Sequence, residues 1–389
     1  MIILDEPFVS DLLLETLSNE QIPVIETPYF NKIKKGTGFS PVTCEQAVIE
    51  LNTKEYPLLY SNSENAIHWV TKHLKHTTLP AKIELFKDKA KFRRLVQDLF
   101  PGFYFKELPF ADLEKLALDT LPFPFIIKPS VGFFSLGVHK VNSPEEWPAV
   151  LLKLKAEVEQ SQQQYPIEVV NQNNFIIEQL ITGDEYAFDA YFNDKGTPVV
   201  LGIYKHLFSS DADVSDRVYF TSKNIIEEQL KPFTRFLEEV GERAKLRNFP
   251  LHVEVRIENG TVLPIEINPM RFGGWCTTAD LTTKAFDFNP YIYFQQQLTP
   301  DWSVLLADKA GKNYCMVILD NSTGYPANTI ESFDYEKIME RFEKPLDLRR
   351  NDWNKYPVFG IMFTETRQTN FEEIEWVLKS DLKEFVTLK

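Results

Sequence analysis

The sequence predicts a mixed α/β and α+β protein, and three features of its patterning carry that reading. Over residues 1–80 short apolar runs alternate with amphipathic stretches, the order that favours a parallel sheet. Between residues 122 and 269 longer strand-like runs are joined by tight turns, the mark of antiparallel pairing. After Pro300 the alternation restarts on a smaller scale. At 389 residues the chain is long enough for about two to three domains. The boundaries expected are 1–80, 81–300 and 301–389, with the middle unit divided near 120–180 and 181–300.

In the first unit "MIILDEP" and "IPVIETP" are strand candidates separated by "VSDLLLETLSNE", which has helical spacing and Ser10 as N-cap. "YPLLYSNSENAIHWVTKHLK" repeats the theme of strand, turn and helix. A basic helix is expected over 84–100, ended by Pro101-Gly102. "PFPFIIKPSVGFFSLGVHKV" (122–141) reads as a strand, a loop with two glycines and a second strand. A helix follows over 143–164, with Ser143 as N-cap and Glu146 completing a capping box. Residues 175–206 form strands around a turn at Asp194–Gly196, and "LFSSDADVSDRVYFTSKN" reads as an exposed loop before a long helix. "PLHVEVRIENGTVLPIEIN" is a hairpin turning at Asn259-Gly260. "NYCMVILD", a helix near 335–342, "YPVFGIMFTET" and a last helix make a small α+β appendage.

Composition narrows the function. Apolar residues make up 43% and charged residues 25%, with 31 Phe, which excludes a disordered chain. The net charge of −14 argues against nucleic acid and anionic membranes as partners, while a local basic site can still hold a nucleotide. Cys44, Cys276 and Cys315 are widely spaced and odd in number, so neither a disulfide framework nor a structural zinc site is expected. The first residues carry acids where a signal peptide carries Lys or Arg, and no apolar run approaches the roughly 20 residues that span a bilayer. A cytoplasmic protein is expected.

Three stretches could carry chemistry. In the hairpin, His252, Glu254 and Arg256 share one face of the first strand, and Glu266 and Asn268 one face of the second. If Glu254 lies opposite that pair, two carboxylates and an amide oxygen converge, a hard-oxygen set that suits Mg²⁺. Alone, the same residues read equally as solvated strand positions and a structural ion pair. The second stretch is Lys128, which ends an apolar strand and leads into a loop holding Ser130, Gly132, Ser135 and Gly137. Glycine lets backbone N–H groups approach phosphate, although a lysine here can also simply snorkel to solvent. The third is "FIIEQLITGDEY", whose exposed strand end can pair with a purine edge while Glu185 accepts from ribose. An ordinary acidic loop fits that stretch as well.

Taken in this order, from about Lys89 to Gly274, the three stretches resemble the ATP-grasp superfamily, and residues 1–80 resemble the Rossmann-like unit that precedes it. The style is that of carboxylate–amine ligases and of carbamoyl-phosphate-synthetase-like members. The resemblance implies an ATP-grasp fold with an N-terminal Rossmann-like pre-grasp domain and a small C-terminal α+β appendage. It also implies ATP with Mg²⁺ (two ions, Mn²⁺ as an alternative) and small-molecule carboxylate and amine substrates. Homodimerisation is left open.

Position by position, Lys89 resembles the first ATP-binding lysine, with Lys87 its rival, and Lys128 the second. Residues 130–138, with Ser130 and Ser135, resemble the lid loop. Glu178, Gln179, Leu180 and Ile181 resemble the adenine hinge, with Glu185 on ribose. Glu254, Glu266 and Asn268 resemble the magnesium ligands, and Arg271 the arginine that steadies an acyl phosphate. Two departures stand out: Phe133 and Phe134 intrude in the lid loop, and Met270 places the arginine three residues after the asparagine rather than two. The chemistry implied is phosphorylation of a carboxylate by ATP and displacement of phosphate by an amine, which needs cations and positioning rather than a protein nucleophile. A bicarbonate-, carbamate- or small-molecule-phosphorylating enzyme and a non-catalytic nucleotide-binding module are the alternatives. The stretches 205–223 and 275–280 are expected to line the substrate pocket.

Overall fold

The computed structural model describes residues 1–34, 36–131, 137–164, 174–210 and 215–389, with the backbone alone over 159–164. The N-terminal unit is a parallel sheet of β1 (Ile2–Ile3), β2 (Pro23–Ile25), β3 (Ser40–Val42) and β4 (Tyr60–Ser61), in the order β3-β2-β1-β4. The connecting helices begin where side-chain acceptors stop the backbone. Ser10 Oγ accepts from Leu13 N at the helix Asp11–Asn19, and Thr43 with Gln46 forms a capping box at Cys44–Asn52.

The basic helix expected over 84–100 is two helices, Leu79–Lys87 and Lys89–Leu95. Asp88 divides them: it leaves helical geometry at ψ 102°, and its Oδ1 accepts from Ala90 N and Lys91 N. The cap re-aims the second helix, so that Lys89 and Arg93, four residues apart, project from one face. The capping box expected at residue 143 is absent. Ser143 makes no side-chain cap, and Glu146 instead accepts from Asn142 N at 2.9 Å before the helix Trp147–Gln164.

A small antiparallel sheet contains β5 (Phe105–Pro109), β6 (Phe125–Pro129), β7 (His139–Val141) and β8 (Asn174–Gln179), in the order β5-β8-β6-β7. It thus begins before residue 120. A large sheet follows, through β9 (Asp184–Phe192), β10 (Pro198–Leu207), β11 (Val218–Ser222), β12 (Phe249–Glu258) and β13 (Thr261–Pro269). The chain then adds β14 (Lys312–Asp320), β15 (Ile330–Phe333), β16 (Lys344–Arg350), β17 (Val358–Arg367) and β18 (Val386–Leu388). The order is β13-β12-β9-β10-β11-β14-β17-β16, with β15 and β18 paired apart.

Two expectations change here. Part of the stretch read as an exposed loop is β11, which lies between β10 and β14 and so joins residues on either side of 300 in one sheet. The segment 301–389 therefore extends the large sheet, although it also holds its own apolar cluster around Phe333, Phe359 and Ile374. Alternation decides what each face of β9 meets. Tyr186 and Phe188 turn to the helix Lys223–Ala244, where Phe233 stacks on Phe188 at 4.7 Å. Glu185, Ala187 and Asp189 turn to the opposite face.

Gly183, at φ +90°, brings the chain onto β12 before β9 begins, and a Cβ there would stand 2.1 Å from Ile257 O. Backbone cannot yield as a side-chain tip can. Gly183→Ala should therefore destabilise the protein by about 2 kcal/mol or more, read as a lower urea midpoint at unchanged m-value.

Candidate nucleotide and metal site

The site grows out of strand register. In β12 and β13 Glu254 faces Glu266 and His252 faces Asn268, with a bulge just beyond Glu254. In β9 and β12 Asp189 faces His252, Ala187 faces Glu254 and Glu185 faces Arg256. Directly opposed residues of antiparallel strands share a face, so these polar groups form rows across three strands. The hairpin turn, with Asn259 at φ +51° and Gly260 at φ +78°, sets the register as far as Val255 and Pro264, and the bulge then shifts it by one residue.

Cations from other elements enter the rows. Lys89 Nζ lies 3.2 Å from Glu266 Oε2, while Asn268 Nδ2 donates to Glu266 Oε1 at 3.0 Å. Lys128 Nζ donates to Glu178 Oε2 at 2.7 Å, and Arg93 Nε donates to Glu178 Oε1. Lys89 N donates to Ser130 O, which ties the Asp88-capped helix to the residue after β6. Ser130 Oγ is buried and lacks a hydrogen-bond partner among the described residues. Ser135, Phe133 and Phe134 lie outside the described residues.

The acids differ sharply in how their charge is met. Burial alone would raise Glu178, but Lys128 and Arg93 overcome it and hold the carboxyl at about 2. Burial lowers Lys128 below the usual ammonium range even though Glu178 pulls it up, because Arg93 and Lys89 crowd it. Burial would likewise raise Glu266, yet Lys89, Asn268, Lys87 and Lys128 together bring it far below the usual carboxylate range. Glu254 is the exception: burial, then Glu266, Asp216 and Glu185, push it well above that range, and Arg271 offsets only part.

This charge pattern tests the donor set for a cation. Two partly buried carboxylates face each other, and the charge of Glu254 is only partly offset, by Arg271 and by His252 Nε2 at 3.8 Å. Among the described residues no group of three or more His, Cys, Asp or Glu is placed to enclose an ion. An open hard-oxygen site of Glu254, Glu266 and Asn268, completed by water or phosphate, fits Mg²⁺. Ligation through Asn268 Oδ1 requires its amide to turn over, exchanging the hydrogen bond to Glu266.

Several expected residues are engaged differently from their sequence reading. In the hinge, Gln179 N donates to Tyr104 O and Leu180 N to Pro124 O, so two of the backbone donors expected for a purine are already used. Ile181 O accepts from Arg256 Nη1 at 2.8 Å. Both oxygens of Glu185 are occupied, Oε1 by His206 Nδ1 at 2.8 Å and Oε2 by Arg256 Nε at 2.9 Å. Arg271 directs Nε and Nη2 to Glu64 Oε1 and Nη1 to Phe272 O. The extra residue, Met270, is absorbed by left-handed backbone at φ +71° with its side chain buried. Of the residues expected at the pocket, Trp275 and Cys276 also adopt left-handed backbone.

Sequence reasoning missed Glu64, Arg93 and Asp189. Arg93 was within reach, since it stands four residues after Lys89. Asp189 is fully buried, accepts from Gly273 N at 2.9 Å and lies 2.7 Å from His252 Nδ1. Glu64, held by Arg271 and Lys87, comes from the N-terminal unit.

Comparison with known proteins agrees with this fold. Residues 121–279 match the family described as ATP-grasp domain, and the chain therefore carries an ATP-grasp domain. Among solved structures the fold is similar to an L-amino acid ligase from Bacillus licheniformis, at TM-score 0.70 and 16% identity over 100% of this chain and 98% of that one. It is also similar to N5-carboxyaminoimidazole ribonucleotide synthetase from Thermotoga maritima, at TM-score 0.63 and 14% identity over 100% and 98% of the two chains. A third is the biotin carboxylase domain of Hydrogenobacter thermophilus 2-oxoglutarate carboxylase, complexed with MgADP, ADP and bicarbonate. Its TM-score is 0.62 and its identity 12%, over 100% of this chain and 90% of that one. No curated protein matches the sequence. Among the described residues no helix is long and apolar enough to cross a membrane.

Glu64 supplies a pH test of the cluster. Burial would raise it, but Arg271 and Lys87 hold it at about 2 rather than 4.5. A depressed folded pKa means its contribution is present above about 4.5 and is lost as pH falls towards 2. The unliganded protein should lose stability over that window, and Glu64→Gln should flatten the loss by on the order of 1–3 kcal/mol in urea unfolding at stepped pH. An unchanged slope would place Glu64 outside the ion cluster.

Proposed function

We propose that the protein is an ATP-dependent ligase that activates a carboxylate as an acyl phosphate and joins it to an amine, releasing ADP and phosphate. The observation that carries this reading is the pairing of Lys89 with Glu266, which faces Glu254, beside the buried pair of Lys128 and Glu178. Phosphoryl transfer requires charge neutralisation and alignment, and the cluster provides cations on one side and a cation-hungry donor set on the other. The fold shared with an L-amino acid ligase supports the choice of reaction.

In this reading Lys128 and Lys89 neutralise nucleotide phosphates, Ser130 Oγ adds a donor, and Ile181 with the carbonyls beside it meets the base. Glu185, already fixed by His206 and Arg256, keeps acceptor lone pairs for a ribose hydroxyl. Glu254, Glu266 and Asn268 would hold Mg²⁺, which supplies charge neutralisation at the transferring phosphoryl group. A carboxylate oxygen of the first substrate forms its bond to the γ-phosphorus as the bond to ADP breaks. The amine then forms the C–N bond, phosphate leaves with the C–O electron pair, and the amine releases a proton. Arg271 steadies the oxygens of the acyl phosphate by exchanging Glu64 for them, and Lys87 keeps Glu64 neutralised.

Incubation with MgATP and a panel of amino acids and small acids tests the reaction. Amide, ADP and phosphate in equal amounts are expected. A stable phosphorylated product, or no turnover with any pair, would overturn the ligase reading.

Substitutions at two positions test the roles. Glu266→Gln should lower kcat by on the order of 10³-fold with the fold intact by circular dichroism. Near-normal Mg²⁺-dependent turnover in that variant would refute the metal role. Arg271→Ala should lower kcat and kcat/KM together by about 10²-fold, with KM for ATP little changed. Arg271→Lys should rescue poorly, because a point charge does not reproduce the guanidinium fork. Wild-type kcat in both variants would leave Arg271 as a structural partner of Glu64.

A further inference from the structure

Resting on the reading that Lys128 meets the nucleotide phosphates, we infer that Arg93 is a positioning residue that keeps Glu178 charged and in place, so that Lys128 is free to turn to those phosphates. The geometry divides one carboxylate between two cations. Arg93 Nε takes Oε1 and Lys128 Nζ takes Oε2. When Lys128 redirects its ammonium, only Oε2 is vacated. Without a second cation the same movement would strand a buried anion.

The surroundings of Arg93 suit this task. Its side chain is 3% exposed, its guanidinium stacks 4.4 Å from the Phe103 ring centroid, and Nη1 and Nη2 lack acceptors among the described residues. Glu178 is thus its sole ionic partner among those residues. The two arise 85 positions apart in sequence, on the helix Lys89–Leu95 and on β8. The charged groups bearing on Glu178 are Lys128 from β6 and Arg93 and Lys89 from that helix. Lys89 cannot substitute for Arg93, because Lys89 is committed to Glu266. The site therefore carries two cations along one helix face: one steadies the proposed metal carboxylate, and the other steadies the carboxylate behind the phosphate lysine.

The probes are MgADP and adenosine, titrated calorimetrically in two buffers of different ionisation heat. The unmodified protein should bind MgADP with no proton uptake at Glu178. Arg93→Met should weaken MgADP by tenfold or more, with adenosine little affected, and binding should take up about one proton per site as the stranded carboxylate neutralises. In a Glu178→Gln background, where no charge needs holding, adding Arg93→Met should change MgADP affinity by less than about twofold. A merely structural Arg93 would weaken MgADP and adenosine equally, with no proton uptake, and the loss would persist beside Glu178→Gln. That result overturns the inference. If Arg93→Met alone does not fold, the comparison within the Glu178→Gln background decides. If MgADP binding depends on Lys128 yet ignores Arg93, the inference falls and the nucleotide reading stands. If the unmodified protein does not bind MgADP, the nucleotide reading falls and the inference falls with it.

Discussion

Burying an unpartnered carboxylate costs several kcal/mol, and this protein gathers four in one place: the buried Glu178 and the partly buried Glu64, Glu254 and Glu266. Three are answered by cations from elsewhere in the chain: Glu64 by Arg271 and Lys87, Glu178 by Arg93 and Lys128, Glu266 by Lys89. Glu254 is left without a comparable partner, and its carboxyl is pushed well above the usual range. The arrangement of the whole molecule follows from the need to bring those cations in. The N-terminal unit delivers Glu64, the Asp88-capped helix delivers Lys89 and Arg93, the small sheet delivers Lys128 and Glu178, and the large sheet holds the facing pair.

The same balance joins structure to chemistry. A folded chain could have satisfied Glu178 with one cation and Glu64 with one. Here each is held by two, so one of each pair can leave without exposing a bare buried charge. Lys128 and Arg271 are the members with a proposed task at the ligand, while Arg93 and Lys87 stay behind. Glu254 has no second cation and is the position where a metal ion would relieve the deficit. In the proposed reading, ligand binding would exchange ion pairs rather than create them.

Local chemistry made part of this legible in the sequence. The hairpin could be read because period-two alternation and Asn259-Gly260 agree on its strands and turn, but the turn's register would set Glu254 opposite Ile265, and the bulge beside Glu254 is what brings it to face Glu266. Lys128 could be read because it closes an apolar strand before a glycine-bearing loop. Other local readings failed where two signals competed. Apolar periodicity continued through Asp88, but a capping carboxylate breaks the helix there. At Ser143 a capping-box pattern lost to Glu146 bonding Asn142. Val218–Ser222 looked like the end of a polar loop, and its role as β11 depends on β14, almost one hundred residues later.

What the sequence determined by itself was the hairpin with its Asn-Gly turn, the strand that Lys128 closes and the ATP-grasp order of these stretches, because those follow from spacing along one strand or turn. What only the tertiary structure decided was which charge answers which. Arg271 meets Glu64 across 207 positions, Arg93 meets Glu178 across 85, and Arg256 meets both Glu185 and the Ile181 carbonyl. The physical reason is that a salt bridge leaves no periodic trace. A solvent-exposed lysine and a buried one look alike in a sequence, and only the fold removes the water that makes the difference.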